Sequence, residues 1–186
     1  VLKRTDAGLT QDVWETSGPW LKLPPQAKFV AHVFLAPENL PKSIMVQFNK
    51  GGWKHRGVWG DYDAIQWGAP QTTERVSLGE LPAAGQWVRL EFPVETVGLA
   101  PGDELSGFAL TQFGGTVYWD QVGVVGEVNP ATDPAFSFQA WWQKVATSDL
   151  AGIPAELHEI AKQGPSAEGN ADLKKQLLSH YLLHHC

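Results

Sequence analysis

Apolar and polar positions alternate with a period of two in six stretches before residue 128: Phe29–Leu35, Ser43–Asn49, Trp53–Trp59, Gln86–Phe92, Glu104–Phe113 and Thr116–Val125. A strand turns successive side chains to opposite faces, so each stretch predicts a β-strand with two distinct faces. Turn formers punctuate them at Pro24-Pro25, Pro41, Pro82, Pro93 and Pro101-Gly102. Gly114-Gly115, between the last two stretches, predicts a tight hairpin, because glycine reaches the positive φ that two-residue loops demand. Short strands recurring between turn signals predict an all-β fold, a jelly-roll-like antiparallel β-sandwich over residues 1–127.

After Asn129-Pro130 the spacing becomes helical. Three short amphipathic helices are expected: Pro134–Thr147, with Phe138, Trp141, Trp142 and Val145 on one side; Pro154–Gln163, closed by Gly164-Pro165; and Asp172–His185, with Leu173, Leu177, Leu178, Tyr181 and Leu182. Asp133-Pro134 fits an N-cap followed by Pro at the first helical position. Residues 128–186 thus read as a helical appendage or spacer, with Ala167-Glu168-Gly169-Asn170 as a flexible connection.

The 186 residues, 43% hydrophobic and 18% charged, suit one folded domain plus a small appendage, too little chain for two enzyme domains. Opening on Val1 without Met, the chain reads as a mature or excised fragment. The formal charge is −6 and no basic run offsets it, which argues against nucleic acid or an anionic membrane as partner. No stretch approaches the roughly 18 apolar residues of a spanning helix, so membrane insertion is not expected. What departs from the ordinary is nine Trp, seven of them before residue 128. Side chains that large and amphipathic are either buried or used.

Catalytic signatures are sparse. There is no Gly-x-Ser-x-Gly elbow, Walker loop or dinucleotide fingerprint, and His158-Glu159 is followed by Lys162 where a zinc protease needs its second His. His180 and His184 share a helix face but read as a solvated helix end. The single cysteine, Cys186, permits no internal disulfide and no haem attachment. Glu91, Glu104 and Asp120 are the acids from which a glycosidase pair could be assembled, yet they form no close cluster. No catalytic residue is assigned. No cofactor is expected beyond a structural Ca²⁺, for which Asp61 and Asp63 are candidate ligands; an EF-hand is ruled out because its twelfth position falls on Thr72.

The densest local feature is Trp53-Lys54-His55-Arg56-Gly57-Val58-Trp59-Gly60, followed by Trp67. The period of two puts Trp53, His55 and Trp59 on one face with a gap at Gly57, while Lys50, Lys54 and Arg56 make a local basic patch. Indole stacks on the C–H face of a pyranose and guanidinium donates to its hydroxyls, so Trp53, His55, Arg56, Trp59 and Trp67 are candidate ligand-binding residues. Trp87 and Arg89 join them: with Glu91 they share one side of their strand, while Val88, Leu90 and Phe92 share the core side. The same indoles also suit the space between two sheets, and Arg89 with Glu91 suits a cross-strand ion pair.

Several motifs occur in a family order: Trp53-x-His55-Arg56-x-x-Trp59-Gly60, Ile65-x-Trp67-Gly68, Leu81-Pro82-x-x-Gly85-x-Trp87-Val88-Arg89-Leu90-Glu91, Gly107-Phe108-Ala109 and Gly115-Thr116-Val117-Tyr118-Trp119-Asp120. Over residues 28–186 the chain resembles the sugar-binding-like β-sandwich module of large secreted planctomycete-type multidomain proteins, which also carry a cytochrome-c-like region and domains of unknown function. The closing Trp-Asp is similar to that of jelly-roll carbohydrate-binding modules. The resemblance implies a noncatalytic, lectin-like module that recognises a polysaccharide or oligosaccharide, set among neighbouring domains of an extracytoplasmic protein. The family's haem cysteines are missing, so no electron transfer carries over. A domain-docking module, or a glycoside-active sandwich enzyme, is the alternative.

Overall fold

In Lys28–Leu35 the positions Phe29, Ala31, Val33 and Leu35 are sealed from solvent, and the intervening side chains face outward. This is the alternation expected of a strand lying over a core. The computed structural model describes residues 1–166, 168 and 170–185, divided into two units, Val1–Glu127 and Val128–Cys186. Ala167 and Gly169 of the expected flexible connection, and Cys186, lie outside the described residues.

The first unit contains β1 (Leu2–Glu15), β2 (Leu21–Lys22), β3 (Lys28–Leu35), β4 (Ser43–Asn49), β5 (Trp53–Gly60), β6 (Val76–Ser77), β7 (Trp87–Pro93), β8 (Glu104–Leu105) and β9 (Gly107–Val125). Seven strands form one curled sheet in the order β6-β5-β4-β9-β3-β7, with β1 also paired to β9, and β2 pairs with β8 apart from it. The expectation of a purely antiparallel sheet is corrected, because β5 and β6 run parallel through Gly57↔Val76 and Val58↔Ser77. The loop that joins them crosses over before β6 returns in the same direction.

The expected hairpin at Gly114-Gly115 does not form: β9 continues past it as a single strand of 19 residues. Its first half pairs with β4 and its second with β3, while β1 follows the opposite edge along both halves. The segment between β3 and β4 crosses the junction, with Ala36 N donating to Thr116 O, Thr116 N to Asn39 O and Lys42 N to Phe113 O. Both glycines take positive φ, 68° and 80°. They therefore bend the strand where two residues of ordinary conformation would have continued it. The buried Gln112 side chain caps the bend, donating to the carbonyls of Gly114 and Gly115 at 2.9 Å each. A Cβ on Gly115 would collide with the Leu40-Pro41 backbone.

Strand β1 has no counterpart among the expected strands. Its sequence carries Asp6, Gly8 and Asp12, and most of its side chains are exposed, so no apolar alternation announces it. It bends with β9, its register slipping between Asp6 and Leu9. Arg4, before the slip, makes a two-pronged pair with Asp12 beyond it and donates to Thr10 Oγ1 at 2.8 Å. The Asp12 hydrogen bond raises the Arg4 pKa. Charges held this way along an outer strand also discourage another chain from pairing there.

The curl brings side chains of β3 and β7 onto those of β4 and β5. Phe29 meets Phe48 edge-on at 5.7 Å and Trp59 meets Phe92 at 5.9 Å. Val33, Ile44, Val46, Leu110, Val117 and Trp119 complete this core. A salt bridge of 2.6 Å from Lys50 to Asp103 ties the turn after β4 to the loop before β8. Burial opposes ionisation of Asp103, but the Lys50 and Ala100 N–H hydrogen bonds outweigh it and hold its carboxyl below the usual 3.8.

The second unit has α1 (Phe138–Ala146), α2 (His158–Gln163), preceded by a 3-10 turn at Ala155–Leu157, and α3 (Ala171–His184). Helix α1 starts later than expected: Ser137 is its cap, accepting from Ala140 N at 3.2 Å, and Asp133-Pro134 opens the turn before it, Asp133 O accepting from Phe136 N and Ser137 N. Trp141, Trp142, Leu157, Ile160, Leu177 and Tyr181 form its core, and Trp142 Nε1 donates to the carbonyls of Ile160 and Ala161.

Three substitutions test this description. Gly115→Ala lowers unfolding free energy in urea by about 2 kcal/mol or more, from left-handed strain plus backbone collision. Gly123→Ala, at a strand position with open space around it, changes it by less than about 0.5 kcal/mol. For Asp103 the depressed pKa means its stabilisation is complete above 3.8 and drains away as pH falls through the lower folded value. Asp103→Asn therefore flattens the acid limb of unfolding free energy against pH, by less than about 1 kcal/mol since the pair is partly solvated.

Candidate functional site

On its outer face the β5-β4-β9-β1 part of the sheet carries polar side chains in register. Strand pairing aligns Arg56 with Gln47, Ala109 and Val13, and the next row holds Trp53, Asn49, Gly107 and Glu15. Ala109 and Gly107 are small, so the row sinks in the middle. The resulting groove of about 450 Å³, open to solvent, is lined by Gln11, Val13, Glu15, Gln47, Trp53, Arg56 and Trp67. Its size falls within the range of small-ligand sites.

The groove's polar groups are held in a chain. Gln47, 3% exposed, donates from Nε2 to Thr111 Oγ1 at 2.8 Å and Gln11 Oε1 at 3.1 Å, which turns its Oε1 toward Arg56. Arg56 donates Nε to that oxygen at 2.7 Å and Nη1 to the Glu74 carbonyl at 3.1 Å. Burial lowers the Arg56 pKa against the pull of Glu74, yet a guanidinium remains charged at any physiological pH. Asn49 donates to Glu15 Oε1 at 2.5 Å and accepts from Gly52 N at 2.7 Å.

One wall is the loop between β5 and β6. Ile65 seals Met45 and Val58, with Tyr62 and Trp67 packed around them. Arg75, 6% exposed, lies 4.5 Å over the Tyr62 ring and donates to Ile65 O at 3.2 Å, while Tyr62 Oη donates to Arg75 O at 2.6 Å. Gly68, at φ 87°, leaves room for the Arg56 guanidinium, where a Cβ would come within 2.8 Å of Nη1. The loop thus fixes Trp67 and Arg56 together.

The expected face containing Trp53, His55 and Trp59 is corrected. Register slips at the start of β5: Asn49 pairs with Trp53 but Phe48 pairs with His55, so Lys54 is an extra residue. The bulge turns Trp53 to the outer face with Arg56 and sends His55 and Trp59 inward. Trp59 is 6% exposed in the core, and His55 Nδ1 lies 2.8 Å from Val97 O. Neither lines the groove. The expected basic patch loses Lys50, which is paired with Asp103.

Trp87 and Arg89 stand on the outer face of β7, among neighbours other than those of the groove. Val88, Leu90 and Phe92 face the core as expected. Trp87 tilts against Phe34 at 5.8 Å, and Phe34 meets Tyr118 edge-on at 5.6 Å and 86°. Rings so inclined do not offer one flat surface. Glu91 takes hydrogen bonds from Lys28 and Arg89, which hold its carboxyl below the usual range. Glu91 is held in ion pairs with Lys28 and Arg89 on the outer face and pairs in register with Val30, whereas Asp120 pairs with His32, so the two acids lie in different rows of the sheet. Asp61 and Asp63 are exposed, with Asp61 Oδ1 accepting from Asp63 N at 3.1 Å. Among the described residues, no three His, Cys, Asp or Glu side chains are placed to hold a metal ion.

Gln11, Val13, Glu15, Gln47 and Asn49 were absent from the expected site. The signal for Gln47 and Asn49 lies in Ser43–Asn49, where Gln47 and Asn49 alternate with Ile44, Val46 and Phe48. No such signal marks the β1 residues. No helix among the described residues is long and apolar enough to cross a membrane. No family model matches the chain, and no curated protein does.

Proposed function

We propose that the first unit is a noncatalytic glycan-binding module whose site is the groove of Trp53, Arg56 and Trp67. The curled sheet is read as a jelly-roll-like sandwich, in which β3 and β7 face β4 and β5 across the shared core. The observation that carries the reading is two indoles in one open groove with a fixed amide–guanidinium row. A sugar ring is amphipathic in the same way, with apolar C–H faces and a girdle of hydroxyls. The apolar concavity between Trp20, Phe29, Phe48, Leu105 and Phe108 offers almost no hydrogen-bonding groups and does not suit a sugar.

A few such contacts on a preformed surface give affinities of roughly micromolar to millimolar, about −8 to −4 kcal/mol. Tethering to neighbouring domains of an exported protein would make binding of that strength useful. No covalent step is involved. Native affinity electrophoresis against a panel of neutral and acidic polysaccharides tests the reading. Trp53→Ala and Trp67→Ala each weaken retardation about tenfold or more, the equivalent of ~1.4 kcal/mol, whereas Trp87→Ala leaves it unchanged. Equal loss in all three, or in none, rejects the groove as the site.

A further inference from the structure

Arg56 is a half-buried cation whose hydrogen-bond partners are neutral, the Glu74 carboxylate acting on it only at longer range. Its Nε and one Nη1 hydrogen go to an amide oxygen and a backbone carbonyl. The remaining three of a guanidinium's five N–H donors have no acceptor among the described residues. No carboxylate lies within 4 Å of it among those residues. Two acids nearby keep their charge without touching the guanidinium: Glu74, whose Oε2 accepts from Ala69 N at 3.3 Å, and Glu15, which accepts from Asn49. Holding a charge partly out of water with no counter-charge in contact is unfavourable. Here the cost is maintained by design of the surroundings: Gln47 is oriented by Thr111 and Gln11, and Gly68 makes way for Nη1.

We propose that the groove selects an acidic glycan, with a uronate carboxylate seated on the Nη edge of Arg56 and the sugar rings against Trp53 and Trp67. This rests on reading the groove as a glycan site. A carboxylate accepts two parallel N–H bonds from a guanidinium, and the pair is stronger where water is partly excluded. The overall negative charge of the chain is a weak opponent, since charges beyond about 8 Å are screened at physiological salt. Glu15, in the next row, disfavours a second carboxylate there, so acidic groups spaced along the polymer fit better than a continuous run.

The test uses the whole chain in affinity gels containing polygalacturonate, alginate or glucuronoxylan. Each polymer is run beside its carboxyl-reduced form, with a sulfated galactan as the other source of an oxyanion. At least one uronate polymer is expected to retard the chain about 10-fold more strongly than its reduced form. Arg56→Gln is expected to erase that difference by a loss of about 10- to 100-fold, and Arg56→Lys to restore only part of it. Should Arg56→Gln fail to fold by near-ultraviolet circular dichroism, the acid-to-reduced ratio on the unmodified chain decides alone. Equal retardation by both forms overturns the acid selectivity and leaves the glycan site standing. Retardation by the sulfated galactan alone overturns the uronate assignment. No retardation by any polymer, neutral or acidic, overturns both.

Discussion

Two consecutive glycines in left-handed conformation let one strand serve two parts of a sheet. Because β9 bends at Gly114-Gly115 without ending, β3 and β4 take successive lengths of the same edge, and β1 can follow the other edge around the corner. Everything called inner or outer in this unit follows from that bend. It brings Phe29 onto Phe48 and Trp59 onto Phe92, and it leaves the opposite faces of the same strands free for polar rows. The Arg4–Asp12 pair then spans the bend within β1, joining two parts of one strand that a straight course would hold apart.

The groove depends on a second, smaller irregularity. The extra residue at Lys54 rotates Trp53 to the side that Arg56 occupies, so an indole and a guanidinium three positions apart share a surface. Gln47 links this to the sheet, because its buried amide cannot be satisfied without Thr111 and Gln11 on one side and Arg56 on the other. A buried amide with fixed partners transmits its orientation to whatever it holds. That is how a long, flexible Arg side chain comes to present a defined edge.

Aromatic residues divide by the same geometry. Trp59 and Trp119 stabilise the interior, Trp53 and Trp67 border the groove, and Trp87 joins a run of inclined rings on β7, β3 and β9. In the second unit Trp141 and Trp142 are adjacent in sequence and both buried, which a short helix manages only when packed on two sides. Abundance of tryptophan therefore has no single meaning in this chain.

The sequence by itself determined where period-two and helical spacing occur, and so the mainly β unit, the positions of β3, β4, β5 and β7, the core side of β7 and three short helices. Those features are local, set by side chains a few residues apart. Tertiary structure decided the rest. Whether Gly114-Gly115 turns a chain back or bends it depends on which strands flank it, and both outcomes use the same positive φ. Strand β1 is held by pairing to β9 and carries no apolar face of its own to announce it. A one-residue bulge reverses every facing that follows, which is why Trp53 and Arg56 meet in the groove while His55 and Trp59 do not. Gln11, Val13 and Glu15 enter the groove from more than thirty positions away in the chain, a distance across which no local pattern carries information.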